Sequence, residues 1–296
     1  MSIPFVHEIE FEYGVVDQVT PLIRRVVCNN PGGFTLHGTG TYIIGRGDVA
    51  VIDPGPLDDA HIAALEKAVE GETVSHILIT HTHRDHSPAA APFKKTTGAP
   101  TYGYGPHGGD RGGSKVEEGG DYEFVPDHVI KDGDVIVGNG WSFEAIHTPG
   151  HTSNHICFAL REENATFSGD HVMGWSTSVI SPPDGNMADY MDSLRKMLTR
   201  EEEIYWPTHG PPITEPKAHV EAFIKHRNGR EDAILQCICD GRNTIPDMVE
   251  VMYADVDPRL HGAAGRSVFA HLLHMAETGR VTTEGAPSPD GVYAAA

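Results

Sequence analysis

Cysteine is scarce in this 296-residue sequence, which contains only Cys28, Cys157, Cys237 and Cys239. Four scattered cysteines are too few for a disulfide framework, so a small secreted scaffold is excluded and a reducing compartment is expected. Cys237 and Cys239 form a CxC pair that could bind a metal. On a predicted helix, however, the two side chains point about 200° apart, which favours core packing.

Long hydrophobic runs are absent as well. No stretch of about 18 apolar residues occurs, which argues against a membrane-spanning helix. The N-terminal text MSIPFVHEIEFEYG has neither a basic region followed by an apolar core nor an Arg-rich amphipathic pattern, so no targeting segment is indicated. We therefore expect a cytoplasmic protein with no membrane partner.

Positive charge is in short supply. Lys and Arg total 22 against 42 Asp and Glu, for a net charge of −20 with His neutral. So acidic a chain repels polyanions at long range, and a nucleic acid would have to be held by a local basic patch or by metal ions. Histidine, in contrast, is abundant at 19 residues.

Strand and helix patterns alternate over the first two thirds of the chain, which predicts an α/β fold. Ser87 and Pro88 have the character of a helix start, with Ser as the cap. Eight glycines in the eighteen residues from Gly103 to Gly120 predict a loop that could cover a site. The other predicted elements are a hairpin over 34–53, helices over 58–70 and 188–199, and strands over 76–80, 99–102, 135–137, 141–147, 155–160 and 165–168.

The sequence pattern changes after THGPPITEP, from alternating strands and helices to mainly helices. Residues 217–239, 244–254 and 262–279 read as three helices, and the remaining text offers a strand, a Pro-Asp-Gly turn and a strand. Three helices followed by a hairpin are the outline of a winged helix. The sequence thus predicts a catalytic domain over residues 1–216 and a small winged-helix domain over residues 217–296.

Metal-ligand residue types gather in the segment HTHRDH, residues 81–86, directly after an apolar run. Histidines at i and i+2 can chelate one ion, and the Asp and His that follow can turn to a neighbouring ion. Further candidates, each at the end of a strand-like run beside a Gly or Pro turn, are His151, Asp170 and His209. Strand ends are where distant parts of an α/β chain converge.

The pattern HTHRDH, PGH, SGD and THG resembles the metallo-β-lactamase superfamily over roughly residues 25–216. The resemblance implies an αββα sandwich of two mixed sheets flanked by helices. It also implies two divalent metal ions, with zinc expected and iron or manganese compatible with the ligand types. It implies that one metal is held by His81, His83 and His151, the other by Asp85, His86 and His209, that Asp170 bridges them, and that Asp53 in VIDPG orients a ligand imidazole.

Two divalent ions roughly 3.5 to 4 Å apart lower the pKa of a bridging water, which makes hydroxide available at neutral pH. The sequence therefore predicts that a metal-bridging hydroxide attacks a small thioester, ester or lactone, with Asp85 and Asp170 as catalytic residues. Asp170 matches the glyoxalase, lactonase and nuclease branches, whereas true β-lactamases commonly lack a bridging Asp. The residues predicted to contact this small-molecule substrate are Trp175, Ser176, Thr177 and Tyr190.

The flanking segments resemble a subfamily with a C-terminal winged helix that includes single-strand-selective endoribonucleases. Cleavage of single-stranded RNA is therefore the alternative function, with RNA held at the basic turn formed by Lys225, His226, Arg227 and Arg230. Residues 217–296 hold eight Lys and Arg against eleven Asp and Glu. This acidity favours a lid, pocket wall or subunit contact over nucleic-acid binding.

A third hypothesis is a non-catalytic module with a structural metal. The ligand set argues against it, because a structural zinc is normally closed by four protein ligands. The sequence leaves a homo-oligomer open. His155 and His171, which lie next to the predicted ligands in the chain, are expected to be buried supporting residues.

Overall fold

Two β-sheets packed face to face form the centre of the computed structural model, which describes residues 3–108, 119–255, 257–258 and 261–296. Helices cover the outer faces of both sheets, which confirms the predicted αββα order of layers. Part of the predicted glycine-rich loop, residues 109–118, lies outside the described residues. Among the described helices, none is long and apolar enough to cross a membrane.

The first sheet contains seven strands in chain order. Pairing is antiparallel from β1 to β4 and parallel from β4 to β7, so the sheet is mixed. Strands β3 and β4 form the predicted hairpin, whereas the sequence does not predict β1 and β2. The strands are β1 (Val16–Gln18), β2 (Ile23–Val27), β3 (Gly40–Arg46), β4 (Asp48–Ile52), β5 (Thr73–Leu78), β6 (Thr101–Gly103) and β7 (His128–Val129).

The second sheet has five strands in the order β12-β11-β10-β9-β8. Only the pair β11 and β12 is parallel among these neighbours, so this sheet is mixed as well. The side chains between the two sheets form the central core, with Phe143, Phe158 and Phe167 from this sheet packed around Tyr42 of the first. The strands are β8 (Val135–Val137), β9 (Ser142–His147), β10 (Ile156–Leu160), β11 (Ala165–Gly169) and β12 (Ile204–Pro207).

Helices α1 (Asp59–Ala68) and α2 (Ala90–Thr97) cover the first sheet, and α3 (Met187–Leu198) covers the second. Asp58 caps α1 by accepting a hydrogen bond from the His61 N–H. The predicted Ser cap of α2 is wrong, because that helix begins at Ala90 and has no side-chain cap. The Ser87 hydroxyl instead donates to Asp121 at 2.6 Å.

The last third of the chain contains α4 (Pro216–Cys239), α5 (Ile245–Met252), α6 (His261–Glu277) and the antiparallel strands β13 (Val281–Thr283) and β14 (Tyr293–Ala295). This arrangement confirms the predicted winged helix. The domain boundary after residue 216 stays a prediction.

Helix α4 contributes to two cores. Its first half places Val220 and Phe223 against the outer face of the second sheet, together with α3. Its second half places Ile234 and Cys237 in the core of the winged helix. Cys237 is buried and Cys239 is exposed, so the CxC pair points in two directions as predicted.

Candidate metal centre

Seven potential ligands converge at one edge of the sandwich. His81, His83, Asp85 and His86 follow β5, His151 lies between β9 and β10, Asp170 follows β11, and His209 follows β12. Every one of these segments leaves the carboxyl end of its strand, which is why residues far apart in the chain meet there.

The first group of ligand atoms is formed by three imidazoles. His81 Nε2 lies 3.0 Å from His83 Nδ1, and His83 Nδ1 lies 3.0 Å from His151 Nε2. Ligand atoms about 2.0 to 2.1 Å from a tetrahedral zinc ion are roughly 3.3 Å apart, so three nitrogens at this spacing can share one ion. The sequence predicts these three residues as one set, and the structure brings them together.

The second group combines one carboxylate and two imidazoles. Asp85 Oδ2 lies 3.1 Å from His209 Nε2 and 3.6 Å from His86 Nε2. All three ligand atoms lie within 4.8 Å of one another. This group also corresponds to a set that the sequence predicts.

Asp170 lies between the two groups. One carboxylate oxygen, Oδ2, is 3.6 Å from His86 Nε2 and 3.8 Å from His151 Nε2, and the other, Oδ1, is 3.5 Å from His209 Nε2. The side chain is therefore within reach of an ion in either group. That is the position required of a bridging ligand.

Within the described part of the chain, three buried polar atoms at this centre have no hydrogen-bond partner: His86 Nε2, His209 Nε2 and Asp170 Oδ1. A buried polar atom without a partner costs free energy, so such atoms call for a ligand. Histidine and aspartate are donors that divalent metal ions accept. The residues present thus fit divalent ions, which would satisfy all three atoms.

The opposite ring nitrogens of three imidazoles are held by acceptors. His209 Nδ1–H donates to the carbonyl of Gly38 at 3.1 Å, and His151 Nδ1–H donates to the carbonyl of Val179 at 2.5 Å. His86 Nδ1–H donates to Asp53 at 2.9 Å. Because Nδ1 carries the proton in each ring, the lone pair of Nε2 faces the centre, as metal binding requires.

Asp53 supports both groups from behind. Its fully buried carboxylate accepts hydrogen bonds from the Thr80 backbone N–H at 2.8 Å, the Thr80 hydroxyl at 2.6 Å, His86 at 2.9 Å and the Thr208 hydroxyl at 3.1 Å. The Thr80 oxygen lies 3.1 Å from His81 Nδ1. One carboxylate therefore orients His86 directly and His81 through Thr80.

The charges of the centre suit a cation. Burial alone would raise the pKa of Asp85 and of Asp170, but the imidazoles of His86 and His209 outweigh it and lower the pKa of both carboxyl groups below the usual range. Burial lowers the pKa of His81 and His83, which keeps these rings neutral. Burial alone would lower the pKa of His86 and of His209, but the carboxylates of Asp85 and Asp170 outweigh it and raise the pKa of both rings. Ionised carboxylates and neutral imidazoles are the ligand forms that divalent ions bind, so an ion bound there would displace the protons of these two rings.

His155 and His171 are buried next to the ligands, as the sequence predicts. His155 Nε2 accepts a hydrogen bond from the Asp170 backbone N–H at 3.2 Å, and its Nδ1 lies 2.8 Å from the Thr148 hydroxyl. The ring also stacks against His81, with centroids 5.1 Å apart. His155 therefore positions the Asp170 backbone.

A cavity of about 260 Å³ opens above the centre. Four predicted ligands, His83, Asp85, His151 and Asp170, form its floor, and Trp175, Ser176 and Thr177 are in its wall. Sequence reasoning missed the other lining residues, which come from loops and from α6 and carry no motif: Gly33, Phe34, Thr35, Met173, Val179, Ser181, Ala263 and Arg266.

Tyr190 is not brought to this cavity, contrary to the prediction. Its side chain is fully buried in the core under α3, and its hydroxyl donates to the His171 carbonyl at 2.9 Å. The Arg227 guanidinium lies 5.2 Å from the centre of the ring. Tyr190 is therefore shielded from a substrate in the cavity.

The predicted basic turn is also wrong in one residue. Arg227 is 4% exposed, and its guanidinium donates to the Ser178 carbonyl, so it is buried between α4 and the loop that forms the cavity wall. The helical pattern of α4 could not reveal this, because the partner lies 49 residues away. Arg227 is unavailable to RNA.

Known families match most of the chain. Residues 35–209 match the metallo-β-lactamase superfamily, and residues 244–289 match the β-lactamase-associated winged-helix domain. In solved structures, the chain is similar to a metallo-β-lactamase family protein from Thermus thermophilus, with a TM-score of 0.76, 23% identity and coverage of 94% of this chain and 100% of that chain. It is also similar to a β-lactamase domain protein from Burkholderia ambifaria, with a TM-score of 0.78, 19% identity and coverage of 96% and 94%.

Three curated relatives are similar over nearly the whole chain. The lactamase-like protein adaB from Aspergillus niger is 32% identical and the match covers 92% of this chain and 86% of the relative. An atrochrysone carboxyl ACP thioesterase from Paecilomyces divaricatus is 31% identical, with coverage of 90% and 83%. A β-lactamase-like protein 2 homolog from Caenorhabditis elegans is 32% identical, with coverage of 90% and 88%. The chain therefore belongs to the metallo-β-lactamase superfamily of hydrolases and carries a β-lactamase-associated winged-helix domain.

Proposed function

We propose that this protein is a dinuclear metal-dependent hydrolase of a small-molecule thioester. The observation that carries the proposal is two groups of potential ligand atoms with the Asp170 carboxylate within 3.8 Å of a ring nitrogen in each, beside a cavity. When bound there, two divalent ions activate a water molecule and polarise the carbonyl under attack. Zinc is the expected metal, and the ligand types also suit iron or manganese.

The protein's own residues have separate roles in this scheme. His81, His83 and His151 would hold one ion, and Asp85, His86 and His209 would hold the other. Asp170 reaches both. Asp85 and Asp170 line the cavity floor as ionised carboxylates, so both can accept hydrogen bonds from an attacking water and orient it.

The lining of the cavity favours a leaving group that needs no proton. Among the described residues that line it, every His and Asp belongs to the predicted ligand groups, so none is left as a dedicated general acid. A thiolate can leave unprotonated because the pKa of a thiol is about 8.5, whereas alkoxide and amine leaving groups are far more basic. A thioester therefore fits this site better than an amide does.

Two further points support a small thioester. The cavity volume of about 260 Å³ is near the lower end of ligand sites, which begin at about 300 Å³. Several relatives at 29 to 32% identity are named atrochrysone carboxyl ACP thioesterases, and an acyl carrier protein holds its acyl group as a thioester.

The test is hydrolysis of butyryl-N-acetylcysteamine by the zinc-loaded protein. The rate is measured from the thiol that the reaction releases. We expect turnover that a chelator abolishes and that Asp170→Ala reduces by at least about 100-fold. Asp192→Ala is the matched control, because this exposed carboxylate contacts only Arg195 among the ion pairs of the described residues. Full activity in Asp170→Ala would overturn the assignment of the centre.

Cleavage of single-stranded RNA stays the alternative prediction. The buried position of Arg227 removes one of the four groups expected to hold RNA, and the net charge of −20 opposes a polyanion. Cutting of an end-labelled RNA that disappears in Asp170→Ala, together with no thioester turnover, would replace the thioesterase proposal with this one.

A further inference from the structure

Helix α6 of the winged helix packs on two of its faces, one in the core of the winged helix and one toward the catalytic domain. Ala264, Val268, Leu272 and Met275 recur at helical spacing and pack in the core of the winged helix. A second stripe, at positions i, i+3 and i+7, consists of Ala263, Arg266 and Ala270. Ala263 and Arg266 line the cavity above the candidate metal centre, and Ala270 packs with the core of α3. The small alanines on both sides allow this face of the helix to approach the catalytic domain closely.

Arg266 differs from every other lining residue in charge. Among the described residues that line the cavity, it is the only Lys or Arg, and it shares the lining with the apolar side chains of Phe34, Met173, Trp175 and Val179. Its side chain is half-buried. A guanidinium stays charged at all physiological pH values, and its five N–H donors allow it to bind a further anion beside its contacts within the protein.

The charge of the whole protein makes this position consequential. With a net charge of −20, the surface repels an anionic substrate at long range. A guanidinium in the lining of this cavity offers local compensation, because a charge-assisted hydrogen bond is stronger where water is partly excluded. Such a residue would select for substrates that carry an anionic group at a distance from the carbonyl under attack.

We propose that Arg266 is a specificity-determining residue that binds an anionic group of the thioester substrate, away from the bond that is cut. This inference rests on the proposed thioesterase function. The anion has two possible sources of the same chemistry: a carboxylate on the acyl group, or the phosphate of a phosphopantetheine thiol. In both cases the residue that determines substrate specificity comes from the C-terminal domain.

The experiment compares wild type and Arg266→Gln, both zinc-loaded, on matched thioesters. Succinyl- and butyryl-N-acetylcysteamine differ in a carboxylate on the acyl group, and butyryl-phosphopantetheine and butyryl-pantetheine differ in a phosphate on the thiol. We expect Arg266→Gln to raise KM at least about 10-fold for one anionic substrate, with kcat and the neutral substrates little changed. The anionic substrate that is affected identifies the source.

The matched control is Arg242→Gln, which changes an exposed Arg of the winged helix whose ion pair with Glu250 is 3.7 Å long. It should behave as wild type on all four substrates. Equal effects of Arg266→Gln on anionic and neutral substrates, or no effect on any, would overturn the inference while thioesterase activity in the wild type stands.

A binding series separates this inference from the proposed function. Calorimetry of the zinc-loaded proteins with succinamate against butyramide, and with phosphopantetheine against pantetheine, measures anion recognition without turnover. If wild type hydrolyses none of the thioesters, the proposed function fails. The inference then holds only if Arg266→Gln weakens binding of an anionic member at least about 10-fold relative to its neutral partner, and is overturned otherwise.

Discussion

Replacing Asp53 by Asn should weaken metal binding without unfolding the protein. The buried carboxylate accepts four hydrogen bonds, two of them from Thr80 and one each from His86 and Thr208. An Asn side chain has the same shape but presents an NH₂ donor in place of one acceptor oxygen. If that NH₂ faces His86 Nδ1, the ring must accept there and carry its proton on Nε2, the atom that faces the centre.

The size of the expected loss in metal affinity follows from the usual contribution of such an acceptor and from the number of imidazoles that Asp53 supports. A supporting acceptor behind a metal-binding His typically contributes 10- to 100-fold in metal affinity, which corresponds to about 1.4 to 2.7 kcal/mol. Asp53 supports one imidazole in each ligand group, His86 directly and His81 through Thr80. We therefore expect both affinities to fall, with the larger loss in the group that contains His86.

Competition with a chromogenic zinc chelator measures both affinities, and circular dichroism monitors the fold. Asp58→Asn is the matched control, because Asp58 caps α1 and Asn caps helices as well as Asp does. Wild-type zinc affinities in Asp53→Asn would refute the role of this carboxylate in orienting the imidazoles. A loss confined to the group of His81, His83 and His151 would refute the geometry described above.

Two further predictions concern stability. Burial lowers the pKa of His271 to about 4, so between pH 6.5 and pH 4 the unfolded chain binds the extra proton, and the folded state should lose on the order of 3 kcal/mol as pH falls through this range. Urea unfolding at pH 7 and 4.5 should show a shallower pH dependence in His271→Gln but not in the exposed control His7→Gln; equal slopes would contradict the assignment. Gly150→Ala should cost more than about 3 kcal/mol, because Gly150 has φ of 137° and an added Cβ would lie 2.4 Å from Tyr190 Cα. Gly229→Ala, in an open helical position, should leave stability unchanged or slightly higher, and equal thermal midpoints in the two variants would contradict the steric argument.

Much of the fold can be predicted from the sequence because its signals are local. Apolar alternation and caps predict the hairpin β3–β4, the helices α1, α3 and α4, and most strands of the second sheet. Strand β2 is not predicted from the sequence, because its segment IRRVV places two arginines in a buried strand. Arg24 pairs with Glu72 at 2.7 Å and donates to the Ala68 carbonyl at 3.0 Å, and Arg25 pairs with Asp17 at 2.6 Å; none of these partners is visible in the sequence.

The candidate centre divides in the same way. Motifs such as HTHRDH predict the ligands because His and Asp are residue types that bind divalent metal ions. The cavity wall is different, since Phe34, Met173 and Arg266 reach it from unrelated segments that only tertiary packing brings together. Arg227 is a charged residue with helical spacing, and only the structure reveals that its partner is a carbonyl in the cavity wall.

Helix α4 has a consequence for how proteins of this architecture can be rearranged. Its 24 residues form a rod about 36 Å long that is anchored by Val220 and Phe223 in one core and by Ile234 and Cys237 in the other. A chain cut before this helix would expose the apolar surface of α3 and the second sheet that Val220 and Phe223 cover, and would tend to aggregate. The C-terminal domain therefore cannot be exchanged between relatives on its own. A functional chimera would have to keep α4 together with the two cores that it contacts, the one under α3 and the one in the winged helix.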